Sequence, residues 1–198
     1  MHSNQGKDIP RALTGGIVPT YRQKAWEVAL GHYGYITTKD AIANGIPPVE
    51  LPKLAARGRL RHVARGIYRF DEMPTTHFDQ FFEAVLRVGD DAYLTGDAVL
   101  ALHDLALVNP RKIRVATRQR TRRNLPPWVK VERANIPEQD VVFYEGIPTT
   151  TVAQAMRQAQ NYVMRERLLE ALPKAINEGL VTKGEMRTLK KELIGVVQ

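Results

Sequence analysis

The 198-residue sequence contains no cysteine. That excludes disulfides, thiolate metal sites and a thiol nucleophile, and it fits a reducing compartment. Serine occurs once, at Ser3, so hydrolysis through a serine nucleophile is effectively excluded. Histidines stand at positions 2, 32, 62, 77 and 103, without metal-ligand spacing, and no glycine-rich phosphate loop is present. The Glu-x-Lys triplet of restriction-type nucleases is missing too; Glu185-Met186-Arg187 comes nearest. Asp90, Asp91 and Asp97 could hold a divalent metal by count alone, but they read better as a helix-ending loop and a helix cap. No apolar run approaches the length that spans a bilayer, and the N-terminus lacks the apolar stretch of a signal peptide. The expectation is a non-enzymatic, cytoplasmic protein with no catalytic residue, no metal, no cofactor and no membrane partner.

Positive charge is abundant, and it is unevenly placed. The net charge is +8. Residues 20–70 carry nine Lys/Arg against three Asp/Glu, and residues 111–133 carry nine against one. Between them, residues 71–110 carry one basic residue and eight acids. Two basic blocks separated by an acidic one favour an anionic partner.

The first block has a readable order. Residues 1–18 mix Gly, Pro and polar residues and are expected to form a flexible arm. Ala25, Trp26, Ala29 and Leu30 recur at helical spacing, and Gly31 and Gly34 end that pattern. Thr37 stands three residues before Asp40, as in a capping box, and Asn44-Gly45 closes a second helix. A third helix follows Gly45-Ile46-Pro47, with Leu51, Leu54 and Ala55 inward and Lys53 and Arg57 outward. Pro52 is its awkward residue, since a proline in a helix interior costs about 3 kcal/mol; the regular helix either starts late, near Leu51, or has a distorted first turn. Residues 58–70 then read as two short strands around Ala64-Arg65-Gly66, with arginines at 59, 61, 65 and 69 and no acid.

Helix, helix, turn, helix and basic hairpin form the order of a winged helix-turn-helix, with residues 19–72 as the DNA-binding unit. A helix fits the major groove and a hairpin tip reaches flanking phosphates. Candidate contacts are Lys53 and Arg57 on the third helix, and Arg59, Arg61, Arg65 and Arg69 on the hairpin. Thr37, Thr38 and Lys39 could hold a phosphate at a helix N-terminus. Tyr68 and Phe70 read as core.

Residues 73–198 read as a mixed α/β unit. Helices are expected over Thr76 to Val88 and around Ala98 to Leu105. Strands follow at Lys112–Thr117, Trp128–Arg133 and Val141–Tyr144, with Glu145-Gly146-Ile147-Pro148 as a turn or short edge segment. A helix over Val152–Gln160, capped from Thr149-Thr150-Thr151, precedes two more near 163–178 and 182–194, and Pro173 is placed to kink the first. Arg114, Arg118, Arg120, Arg122 and Arg123 are a second candidate basic patch. It could extend a DNA footprint, bind an acidic partner, or line a solvent-facing loop.

These features resemble the AbiEi-type antitoxins of bacterial toxin–antitoxin systems. In the N-terminal part the resemblance is carried by Thr37-Thr38-Lys39-Asp40-Ala41, Gly45-Ile46, Leu51, Leu54, Arg57-Gly58-Arg59-Leu60 and Arg65-Gly66-Ile67-Tyr68-Arg69. Further on it is carried by Leu94-Thr95-Gly96, Ala101-Leu102-His103-Asp104-Leu105 and Gly146-Ile147-Pro148-Thr149-Thr150. The resemblance implies an α+β chain, with an N-terminal winged helix-turn-helix and a mixed α/β antitoxin domain. It implies operator double-stranded DNA as one partner, with autoregulation of the operon and self-association on DNA. It implies a cognate nucleotidyltransferase-type toxin as the other. Pro47, Pro48 and Pro52 depart from the family pattern at the third helix. Two other functions fit the residues: a winged-helix regulator whose second half senses a ligand or dimerises, and, with less support, a DNA-directed nuclease.

Overall fold

A computed structural model describes residues 19–195; the expected N-terminal arm lies outside them. The described chain is a mixed α+β structure with eight α-helices and two sheets. The first part runs α1 (Tyr21–Leu30), β1 (Tyr35–Thr37), α2 (Thr38–Ala43), α3 (Glu50–Ala56), β2 (Arg61–Ala64) and β3 (Ile67–Arg69). Thr20 and Thr37 each close a capping box, with Gln23 and Asp40. Each box satisfies amides that a helix start leaves without partners. The three strands form an antiparallel sheet in the order β1-β3-β2. Ala25, Ile36, Leu51, Leu54 and Phe70 are among the residues that close a small apolar cluster beneath it.

Pro52 does not break α3. The helix begins at Glu50, so Pro52 is its third residue. The first four amides of a helix have no intrahelical acceptor, and a proline there deletes no hydrogen bond. The interior penalty therefore does not arise.

The second part contains α4 (Asp79–Val88), β4 (Tyr93–Leu94), α5 (Asp97–Leu102), β5 (Ile113–Thr117), β6 (Val129–Arg133), β7 (Val141–Tyr144), β8 (Ile147–Thr150), α6 (Val152–Ala159), α7 (Arg165–Asn177) and α8 (Lys183–Gly195). The sheet order is β6-β5-β4-β8-β7, with β5–β6 and β4–β8 parallel and the other two pairs antiparallel. Of Glu145-Gly146-Ile147-Pro148, the first two form a turn as expected, whereas Ile147 and Pro148 open an inner strand rather than an edge segment. Its partner β4 meets it at the Leu94–Thr149 pair, one residue beyond Pro148. α4 and α5 lie on β5, while α6 packs against α5 and α8.

α4 is seated against both parts. Phe81, Val85 and Val88 are buried in the larger core. The Phe82 ring meets the rings of His32, Tyr33 and Tyr35 at 5.7, 5.3 and 5.9 Å. Tyr35 also donates to Glu83 at 2.7 Å; burial first, and this bond second, push its phenol well above the ordinary range. None of the described helices is long and apolar enough to cross a membrane.

Candidate nucleic-acid interface

α3 turns Leu51 and Leu54 into the apolar cluster, and this sets what it shows outside. Lys53, Ala56 and Arg57 are exposed. Lys53 forms a surface ion pair with Glu50 at 2.8 Å, of a kind that contributes little and exchanges readily. Arg57 ends the helix, and Gly58 then takes φ +67°, which carries the chain to Arg59 and into β2. Arg57 and Arg59 have no acidic partner within 4 Å among the described residues.

β2 and β3 are joined by the two residues Arg65-Gly66. Gly66 has φ +72°, and a Cβ there would stand 3.2 Å from Thr38 Oγ1. The turn therefore packs against the start of α2 and leaves the Arg65 side chain exposed and without an acidic partner among the described residues. A turn this short limits how far the hairpin can reach. Arg61 is exposed but bonded to Asp71 at 2.8 Å.

Arg69 does not belong to this surface. β3 is the central strand of its sheet, paired on both sides, and Arg69 is 3% exposed. Its guanidinium reaches Asp79 at 2.7 Å and also donates to the carbonyls of Phe70, Met73 and Pro74. Its charge is spent inside the protein, tying β3 to α4. Asp79 was the available signal. It is an acid on the apolar face of a helix, between Phe78 and Phe82, where a buried cation must answer it.

The start of α2 is likewise occupied. The Asp40 carboxylate accepts from the Thr37 amide and hydroxyl at 2.9 and 2.7 Å, and the Thr38 amide donates to Gly66. A phosphate at Thr37 and Thr38 would meet filled donors and a carboxylate. Lys39 extends to Asp90 at 2.8 Å.

The second basic block separates into two environments. Arg114 is on β5 between Asp97 at 2.9 Å and Glu132 at 2.8 Å, and its guanidinium lies 3.9 Å from the Tyr162 ring centre. Burial pushes the Asp97 carboxyl upward despite Arg114, and it pushes the Tyr162 phenol up to about 12. This is a structural knot: a Cβ on Gly96 would fall 1.8 Å from Tyr162 Oη. Arg118, Arg120, Arg122 and Arg123 are exposed on the loop after β5. This loop faces the β2–β3 turn across a groove of about 930 Å³. Among the described residues, no three His, Asp or Glu side chains gather as a metal-ligand set.

A third helix with an outward basic face is followed by a short hairpin whose turn arginine has no acidic partner among the described residues. Residues 25–70 match the family model of AbiEi antitoxin transcriptional regulators, which covers the N-terminal motifs of the resemblance but not those at residues 94–150. Residues 71–198 lie outside that match. No curated protein matches the chain. Among solved structures, the crystal structure of the RV2827C protein from Mycobacterium tuberculosis is similar with a TM-score of 0.46 and 14% identity, over 87% of this chain and 71% of that one. That likeness is too loose to bear on function.

Proposed function

We propose that the chain is an antitoxin that represses its own operon, binding operator double-stranded DNA through a winged helix-turn-helix at residues 19–72. The observation that carries this reading is the acid-free set Arg57, Arg59 and Arg65, which joins α3 to the hairpin turn inside the segment that matches the AbiEi regulators. Lys53 and Arg61 join the set by exchanging a surface carboxylate for a phosphate. In this reading α3 enters the major groove, and Arg65 meets the flanking backbone. Residues 73–198 serve neutralisation, and the partner is a toxin of the nucleotidyltransferase type, as the family resemblance implies.

Fluorescence anisotropy against the DNA upstream of the gene tests the first half. Replacing Lys53, Arg57, Arg59 and Arg65 by alanine should weaken binding and flatten its salt dependence. Co-expression with the neighbouring gene product tests the second half: wild-type chain restores growth if that product is the toxin. No rescue by the folded chain would remove the antitoxin assignment.

A further inference from the structure

The loop after β5 is pinned to the end of α4. Arg123 donates to the carbonyls of Leu86 and Arg87 at 3.0 and 3.4 Å. The last carbonyls of a helix lack intrahelical donors and carry partial negative charge, so a guanidinium is well placed there. Arg87 in turn is fixed by Glu83 at 2.6 Å and by the Val63 carbonyl of β2 at 3.0 Å. The loop and the hairpin turn are thus held as two walls of one groove through the same stretch of α4.

That groove is lined by Arg65 and Thr38 on one wall and by Arg122, Arg123 and Asn124 on the other, with Arg87 between them, and no acid is among its lining residues. Glu83, the nearest carboxylate bonded to a lining residue, is spent on Arg87 and Tyr35. Asp90 and Asp91 border a neighbouring hollow that shares Arg122 and Arg123 with the groove and adds Arg120; Asp90 is paired with Lys39 and Asp91 accepts from Thr117. Arg87 is neutralised by Glu83, while the guanidiniums of Arg65, Arg122 and Arg123 have no acidic partner among the described residues and repel one another until an anion enters. Guanidinium forks suit phosphate oxygens, and Asn124 adds a neutral polar group. A volume of about 930 Å³ holds a run of phosphate groups rather than one.

We propose that this groove is a phosphate-chain site built jointly by the hairpin and the second half of the chain. It is filled either by the phosphodiester backbone of DNA beside the hairpin or by a free polyphosphate such as a nucleoside triphosphate. The DNA form rests on the proposed operator-binding function; the free form stands without it.

The test uses the full chain and two alanine variants on the same loop. Arg122→Ala removes an exposed residue that lines both the groove and the neighbouring hollow, and Arg120→Ala removes an exposed arginine that lines the hollow but not the groove. Binding to operator and to random duplex is followed against salt, and binding of tripolyphosphate and ATP is followed by calorimetry. If DNA fills the groove, Arg122→Ala makes the slope of log K against log salt shallower by about 0.9 on both duplexes. Arg120→Ala then leaves it unchanged. If a free polyphosphate fills it, Arg122→Ala weakens tripolyphosphate or ATP about tenfold and leaves the duplex slope alone. Either result supports the site. Equal losses from both variants, no loss from either, or no binding of any phosphate by the wild type overturns it. Tripolyphosphate binding through Arg122 with no binding of any duplex would remove the DNA function and keep the groove.

Discussion

Arg69→Met is the most informative single substitution, because the sequence and the structure assign this residue opposite roles. Read as hairpin, Arg69 contacts DNA; in the structure it is 3% exposed and ion-paired with Asp79 at 2.7 Å. Methionine keeps much of the stem volume and removes the charge. Asp79 then stays buried, with only the Thr76 amide and hydroxyl as donors, both at 2.8 Å. The carbonyls of Phe70, Met73 and Pro74 lose their guanidinium donors at 3.3 to 3.4 Å. Breaking a buried ion pair from one side costs about 3–5 kcal/mol, most of it from the stranded charge. For a chain of this size each kcal/mol moves Tm by about 2–4 °C, so a fall of about 6–20 °C is expected. Arg69→Met/Asp79→Leu removes both charges and should recover part of the loss. Thermal unfolding by circular dichroism gives Tm, and anisotropy well below that Tm gives the DNA salt slope, which should not change. A Tm within about 2 °C of wild type, together with a shallower salt slope, would refute the structural role and return Arg69 to the DNA surface.

Three further substitutions test separate parts of the fold. Burial holds the His103 imidazole down at about 4, against the ordinary 6.5. Between those values the unfolded chain binds the proton and the folded one does not, so stability is complete above about pH 6.5 and falls by about 3 kcal/mol on going to pH 4. His103→Phe, which keeps a ring beside Tyr144, should flatten that part of the denaturation profile; an unchanged profile would contradict the assignment. Gly96→Ala should lower Tm, since its Cβ would collide with Tyr162 at a φ of +57°; in a Tyr162→Ala background the same change should cost only the backbone strain, about 1–3 kcal/mol, when compared with Tyr162→Ala alone. Pro52→Ala should change stability by no more than about 0.5 kcal/mol, because a donor N–H at this first-turn position has no intrahelical acceptor; a gain near 3 kcal/mol would place Pro52 in a helix interior.

Much of the first part was legible because its signals are local. The Thr37–Asp40 box, the Asn44-Gly45 stop and the Arg65-Gly66 turn act within a few residues, and each falls where the sequence places it. Burial of Arg69 was not legible from the hairpin alone. It depends on β1 returning to pair with β3, and on Asp79 ten residues on. The same limit applies to residues 147–150. Glu145-Gly146 form the turn that the sequence shows locally, and Ile147–Thr150 pair back on β7; what is not local is the second neighbour, Leu94 of β4, more than fifty residues earlier, which makes this strand an inner one. The second basic block shows both cases. Its charge is plain in the sequence, but only the fold takes Arg114 into a knot with Asp97 and Glu132 and sets Arg122 across from Arg65.

The central claim is that α3 and the hairpin turn bind DNA. Its most direct measurement is the salt dependence of binding to the upstream DNA by the chain carrying Lys53→Ala, Arg57→Ala, Arg59→Ala and Arg65→Ala, set beside wild type at equal Tm. Each phosphate that a removed side chain no longer neutralises takes about 0.9 off the slope. Four such phosphates should flatten it by roughly 3 to 4 and weaken binding at every salt concentration. An unchanged slope and affinity in a folded quadruple variant would contradict the claim.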